Sequence, residues 1–431
     1  MKLNILSCLV LSLSLAGSAF SQVSKPSHLD PNYTGPAAPG EVLPEMMLPA
    51  DRAFIHPGIL HTQADLDFVR KRLAAGEEPW TSALQSLRNS EYARLDYQPR
   101  IIPVINPHDK TVGYLMKDAT AAYAHALLWC LTGERAHADK AIQILDAASG
   151  KLQAIDIGRR DQGKVTAGFI GGKYASAAEL IAHYRQPDRV TANWPQESAD
   201  KFKGMLTGVF YPRLQGFKPE FNGNWDASML ASMMALAVYC DRHDIFNEAM
   251  AYYLNGKGNG AVTHYIHSHG QNQESGRDQV HGLMGLAALA AYCEIAKNQG
   301  LDLYSAAGNR LAAGYEYMAQ YLAGQDVKMI GDVPISPKGR EEFRPGYELV
   351  YQHFVLDKGL DLPFVRETVL KHRPEGLRLK HQAGGNSIKL YDKQGSVLRV
   401  ETTLNRPHQF RVYRASERDP EGKKRWQVLR K

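Results

Sequence analysis

Paired helical segments recur along this chain and limit what it can become. "DATAAYAHALLWCLTG" is followed by "RAHADKAIQILDAASG", and "GFIGGKYASAAELIAHY" by "ADKFKGMLTGVFY". "DASMLASMMALAVYCDRHD" is followed by "IFNEAMAYYLNG", and "VHGLMGLAALAAYCEIAKNQG" by "YSAAGNRLAAGYEYMAQYL". In each pair an alanine-rich segment ends in a polar or glycine turn and a more amphipathic segment returns, with about 45 to 60 residues per pair. A helix that is apolar nearly all round must be covered nearly all round, so the alanine-rich members are the buried ones. Such hairpins, stacked side by side, curve into a solenoid or close into an α/α toroid whose inner helices line a central cleft. No strand alternation interrupts this region, and "GFIGGK" lacks the spacing of a phosphate-binding loop.

The flanks differ in kind. Residues 1–21, "MKLNILSCLVLSLSLAGSAFS", read as a secretory signal, with Ala19 and Ser21 at −3 and −1 of a cut before Gln22. Residues 22–58 are rich in proline and glycine and read as an extended lead-in. The helical body then spans 59–376, starting with a helix capped by Thr62 whose Asp65, Phe68, Val69, Arg72 and Leu73 follow three-four spacing. In 377–431, "NSIKLYDKQGSVLRVETTL" and "FRVYR" alternate about a Lys-Gln-Gly turn, which predicts a small basic β-rich tail. No later stretch reaches the ~18 uninterrupted apolar residues of a membrane span, so the expectation is a periplasmic or secreted protein without a membrane partner.

Charge is unevenly placed. The tail holds 14 Lys+Arg against 5 Asp+Glu, and one lysine stands in the signal, so residues 22–376 carry −4 of the formal +6. Attraction of the body for a polyanion must therefore come from a local cluster, and nothing suggests a nucleic-acid partner. Cys130, Cys240 and Cys293 each stand in an Ala/Leu/Tyr context and read as small buried hydrophobes, with neither a disulfide framework nor metal spacing. The "HYIHSH" histidines, His264, His267 and His269, match no compact metal signature and read as a polar connector.

Chemistry concentrates in "QESGRDQVHG". If a helix starts near Ser275, then Glu274, Arg277, Asp278 and His281 fall close to one face of its first two turns. One reading is a buried Glu274–Arg277 pair with Asp278 near the helix N-terminus; the other, preferred because a second polar insertion stands at an equivalent place, is a polar face that lines a substrate cleft. A second polar insertion, "FNGNWDAS", precedes another alanine-rich helix, with Asn222 and Asn224 flanking a glycine and Trp225 offering a flat face to a sugar ring.

These residues carry a resemblance. "HPGILHTQADLDFVRKRL", "AAYAHALLWCLTGERAHADKAIQILDAA", "NGNWDAS", "GQNQESGRDQVHG" and "GYELVYQHF", over about residues 56–376, resemble the alginate lyase superfamily of secreted polysaccharide lyases. The combination of "QESGRDQ.H" with an upstream "GNW" is the specific part. The resemblance implies an α/α toroid, a mainly α fold, and β-elimination on a uronate-containing polymer, alginate or another polyuronate. No metal or other cofactor is expected. The sequence departs from the better-known members, which carry Asn-Asn-His and a tyrosine a turn or two after the arginine; here Asn-Gly-Asn-Trp stands, and His281 follows Arg277.

Elimination removes the C5 proton beside a carboxylate and expels the O4 substituent, so charge builds on the carboxylate and must be met by an amide and a guanidinium fork. Asn224, or Asn222, with Arg277 suits that task, and His281 suits the base. For the acid the tyrosines Tyr265, Tyr347 and Tyr351 are open, with Tyr351 preferred because it stands beside His353 after a Pro/Gly-rich loop. Asn222, Trp225, Gln273, Glu274, Asp278 and His353 are expected to contact substrate. Two other classes fit the same residues: a glycoside hydrolase using Glu274 and Asp278, in which Arg277 would hold both carboxylates ionised, and a non-catalytic glycan-binding protein using Trp225 and the amides.

Overall fold

Four alanine-rich stretches become four neighbouring helices, each a wall of the next. The computed structural model describes residues 40–372 except 79, 331–334, 341–342 and 345, together with the backbone of four C-terminal strands. The signal segment and residues 22–39 lie outside the described residues. The helices are α1 (Gln63–Ala74), α2 (Trp80–Arg88), α3 (Lys110–Thr132), α4 (Arg135–Lys151), α5 (Gln162–His183), α6 (Gln196–Met205), α7 (Tyr211–Leu214), α8 (Gly223–Tyr239), α9 (His243–Asn255), α10 (Val262–Tyr265), α11 (Gln279–Asn298), α12 (Ala306–Leu322), α13 (Tyr347–Val350) and α14 (Pro363–His372).

The inner ring is α3, α5, α8 and α11, each packed against the next in that order, with α4, α9 and α12 returning outside α3, α8 and α11, and α6 packed on α4. This is an α/α toroid. Burial follows the composition: α3 is buried without a break from Asp118 to Leu131, and α8 is buried except at Trp225 and Ala231. Short alanine and serine side chains let these helices lie close together, and the Gly172 N–H donates to Ser232 Oγ at 2.6 Å across the α5–α8 seam. "GFIGGK" is thus helix interior. Cys130 and Cys293 are buried, Cys240 is half-buried, and all three are free thiols.

Thr62 caps α1 in a reciprocal box with Asp65. The buried face of α1 is Leu66 and Val69, whereas Phe68, expected on the apolar face, is 47 % exposed and packs edge-on against Trp80. Residues 40–55 form neither helix nor strand and are held by side-chain amides that imitate a neighbouring strand. Asn255 accepts from the Leu43 N–H at 2.8 Å and donates to its carbonyl at 3.0 Å. Asn247 does the same for Leu48, and Gln299 for Ile55.

Two short strands, β1 (Val104–Ile105) and β2 (Ala154–Ile155), pair in parallel. In the tail, β3 (Ile388–Tyr391), β4 (Val397–Thr402), β5 (Phe410–Arg418) and β6 (Lys424–Val428) form an antiparallel meander in which Ile388 pairs with Val400 and Leu398 with Arg414. Among the described residues no helix is long and apolar enough to cross a membrane.

Candidate active site

The polar stretch 271–281 lies between the first turns of α8 and α11, and most of it is spent on the backbone. Gln273 Oε1 accepts from the Gly223 N–H and Glu274 Oε2 from the Asn224 N–H, both at 3.0 Å, so two donors left over at the start of α8 are met by side chains from the neighbouring segment. Glu274 Oε1 also accepts from Arg277 Nη1 at 3.0 Å. Burial pushes the Glu274 carboxyl up, against the opposing pull of Arg277, His281 and the Asn224 N–H. Tyr265 is wedged beside it, donating to the Gly282 carbonyl at 3.1 Å. A Cβ on Gly223 would stand 2.1 Å from the Tyr265 ring, and one on Gly285 1.9 Å from its hydroxyl, so only glycines let this ring pass between the two helices.

Asp278 does two things at once. Its carboxylate caps α11 by accepting the His281 N–H at 2.8 Å, and it holds the same residue's ring Nδ1 at 2.7 Å. Burial works against ionisation of Asp278, but the hydrogen bonds from the His281 ring and backbone outweigh it and hold the carboxyl below its usual range. With Nδ1 engaged, Nε2 is the ring nitrogen available for chemistry. The cap fixes the helix start at Gln279, four residues after the expected start at Ser275, and leaves Glu274 and Arg277 in the preceding turns.

Beside these helix starts opens a cleft of ≈ 1070 Å³. Asn222, Asn224, Trp225, Arg277 and His281 line one side of it. Trp225 is half-buried with its ring 4.8 Å from Phe221. Asn222 Oδ1 and Asn224 Oδ1 are buried with no hydrogen-bond partner in the protein. An unmet buried acceptor costs ~1–3 kcal/mol, a cost that a bound ligand would remove. His108, Arg159, Arg160, Asp161, Lys218 and Glu220 contribute further lining from the loops before α3, α5 and α8. His108 Nε2 accepts the Arg159 N–H at 2.8 Å. Arg160 and Asp161 hold left-handed backbone (φ 54° and 60°), unusual for non-glycine residues and worth ~1–3 kcal/mol of strain each. Asp161 pairs with Lys218 at 3.0 Å. Arg159, Arg160, Lys218 and Arg277 outnumber Asp161 and Glu220, so this is the local positive cluster that the acidic body requires.

The structure brings together five of the expected site residues and sets the others apart. Gln273, Glu274 and Asp278 are 2 %, 0 % and 2 % exposed and stand behind the wall as supports. Consequently a hydrolase pair of Glu274 and Asp278 has neither carboxylate in the cleft. His353 stacks on Tyr304 at 4.3 Å, and the Tyr304 hydroxyl bonds Glu294 of α11 at 3.0 Å. Glu294 is thirteen residues beyond His281, about 20 Å along the helix at ~1.5 Å per residue, so His353 belongs to the far end. Tyr351 opens a π-helical turn, Tyr351–Asp357, and packs half-buried against the core away from the cleft. Tyr265 and Tyr347 are buried, and among the described residues no tyrosine lines the cleft; Met284 does. His264, His267 and His269 do not converge on a common point. Sequence reading missed His108, Arg159, Arg160 and Lys218. The adjacent Arg159 and Arg160 were a usable signal, but their facing partners are more than 50 residues away.

The alginate lyase family model matches residues 75–327. Among solved structures, alginate lyase A1-III from Sphingomonas species A1 aligns with a TM-score of 0.54 at 14 % identity, covering 84 % of this chain and 99 % of that one. An alginate lyase from Bacteroides ovatus aligns with a TM-score of 0.53 at 14 % identity, covering 73 % and 96 %. No curated protein matches. At these identities the structural likeness is one of fold; the family match, which spans more than half of the chain, carries the assignment. With its inner ring of four helices and its cationic cleft, this chain belongs to the alginate lyase family.

Proposed function

We propose that this polysaccharide lyase cleaves a uronate polymer, alginate foremost, by β-elimination, with His281 as the proton-transfer residue. The observation that carries the reading is the Asp278–His281 pair opening onto a cleft that also holds Arg277 and Asn224. Arg277 and the Asn224 amide meet the substrate carboxylate and stabilise the charge that builds on it. His281 Nε2 takes the C5 proton, the C5–H electrons become the C4=C5 double bond, and the C4–O4 bond breaks toward the departing sugar. Asp278 steadies the imidazolium formed. Trp225 stacks on a sugar ring, and Arg159, Arg160 and Lys218 hold neighbouring carboxylates.

Tyr351 stands away from the cleft, so the acid is assigned to His281 itself, which returns its proton to O4. One residue can do both only if the C5 hydrogen and O4 lie on the same side of the ring. That holds for D-mannuronate and D-glucuronate and fails for L-guluronate. The leader sequence supports export, with cleavage after Ser21. The test is incubation of the mature protein with polymannuronate, polyguluronate and polyglucuronate, following the ultraviolet absorbance of the double bond. New reducing ends without that absorbance would make the protein a hydrolase, and neither signal would make it a binder. Preferred cleavage of polyguluronate would refute the single-residue mechanism while leaving the lyase reading intact.

A further inference from the structure

At the opposite end of α5 stands a cluster that the lyase reading does not use. Glu179 and His183 are one helical turn apart and share a face of α5. His56 reaches them from the lead-in, 123 residues away in sequence from Glu179. We infer that His56, Glu179 and His183 form a binding site for one zinc-class divalent ion, which fastens the lead-in to the inner ring.

The ligating atoms of these three residues lie within 4.8 Å of one another. Glu179 is 1 % exposed, and its two oxygens are treated differently. Oε1 accepts from the Gly58 N–H at 3.0 Å and faces His56 Nδ1 at 2.9 Å. Oε2 is buried with no hydrogen-bond partner and stands 3.8 Å from His183 Nε2. The other nitrogen of His56, Nε2, meets Asp241 Oδ1 at 3.1 Å, and Lys203 anchors Asp241 Oδ2 at 2.9 Å. A carboxylate on the far nitrogen of a histidine is the usual support of a metal-bound imidazole. In the metal-free protein the His56 ring, despite its burial, is held as the imidazolium by its bonds to Asp241 and Glu179, with its pKa raised to about 9. A bound ion would replace the Nδ1 proton, which is released, while Nε2–H stays on Asp241. Two imidazoles and one carboxylate suit zinc-class ions, whereas calcium and magnesium prefer oxygen ligands throughout.

The fit requires one movement. The His56 and His183 rings stack at 4.1 Å with planes 17° apart, so their in-plane lone pairs run nearly parallel. Rotation of the His183 ring about Cβ–Cγ brings Nε2 toward Oε2, and its side chain, 29 % exposed, has solvent on one side to turn into. Tetrahedral zinc at ~2.0–2.1 Å from each ligand sets neighbouring ligand atoms ~3.4 Å apart, so the 3.8 Å His183–Glu179 separation closes and the 2.9 Å His56–Glu179 separation opens. A fourth position is left to water. None of the three residues lines the catalytic cleft. Glu179 is 17 residues beyond Gln162 at the cleft end of α5, about 25 Å at ~1.5 Å per residue, so the ion acts on stability and not on turnover.

The experiment uses the full mature protein, stripped with chelator and dialysed, then titrated with zinc chloride by calorimetry, with thermal melts of the stripped and loaded forms. The expected result is one ion per chain, a melting midpoint raised by several degrees, and an unchanged elimination rate on polyuronate. His183→Ala, at a partly exposed position, should fold and bind zinc at least ~10-fold more weakly; Glu179→Gln should lose binding altogether. Absence of uptake, or one-to-one binding that survives His183→Ala undiminished, overturns the site. If Glu179→Gln does not fold, the His183→Ala titration decides alone.

Discussion

Asp278→Asn separates the two tasks that one carboxylate performs. The wild-type side chain accepts the His281 N–H at 2.8 Å and holds the ring Nδ1 at 2.7 Å. Asparagine keeps an oxygen for the N–H and is as good a helix cap as aspartate, so the stability change should stay within ~1 kcal/mol. Its amide NH₂, however, now faces Nδ1. The imidazole proton is driven to Nε2, and the nitrogen that faces the cleft can no longer accept the C5 proton. A reversed tautomer in a comparable dyad costs about 10⁴ in rate, and general-base catalysis alone is worth ~10²–10⁴. The expected loss in kcat is therefore ~10²–10⁴-fold, about 3–6 kcal/mol at ~1.4 kcal/mol per decade, with KM changed less than ~3-fold because Asp278 does not touch substrate. Asp278→Ala removes the cap as well and should add ~0.5–2 kcal/mol of destabilisation. The assay is the ultraviolet signal of the double bond, paired with thermal melts. An Asp278→Asn enzyme that melts like wild type and keeps kcat within threefold would refute the oriented-histidine mechanism.

Three further outcomes follow from the same geometry. Arg277→Lys should lose nearly as much activity as Arg277→Ala, because lysine keeps the charge but not the fork that spans Glu274 and a substrate carboxylate; recovery of most activity by lysine would remove the bidentate role. Burial raises the Asp226 carboxyl from 3.8 to about 7, despite its bonds from Tyr252 and Gly260. The folded state therefore keeps a proton that the unfolded chain has already released, so wild-type stability should fall as pH rises from about 4 to about 7, and Asp226→Asn should make that slope shallower in thermal melts, the remainder belonging to Asp118, which burial raises to about 6, and to Glu274. Deleting the chain after Gly376 should leave a folded protein with unchanged kcat on saturating polymer, since the helical body buries its own core; weaker apparent affinity confined to low salt is expected from loss of the +9 balance, and an insoluble product would join tail and body into one unit.

Periodicity is a local property, so the helices were legible in the order of the residues alone. The alanine-rich stretches could only be inner helices because no face of them tolerates water, and "NGNW" and "QESGRDQVH" stood out because charge and amide groups at the edge of such helices need a reason. Thr62 and Asp65 named their own cap. What the sequence could not decide was the direction in which each polar side chain is spent. Glu274 and Arg277 sit three residues apart on any reading, yet Glu274 turns inward to the Asn224 N–H and Arg277 lines the cleft, because the first turn of α8 arrives with unmet donors 50 residues away in sequence. Asp278 moved the start of α11 by capping it, which a periodicity count does not register. Tyr351 and His353 were placed with the site by their neighbours in sequence, but Tyr351 packs against the core outside the cleft and His353 stacks on Tyr304 near the far end of α11. The cationic loops before α3, α5 and α8, and the His56–Glu179–His183 cluster, exist only after the ring has formed. Their members are brought together by the burial of the alanine-rich faces, a force without direction that fixes where helices lie and leaves their loops to meet.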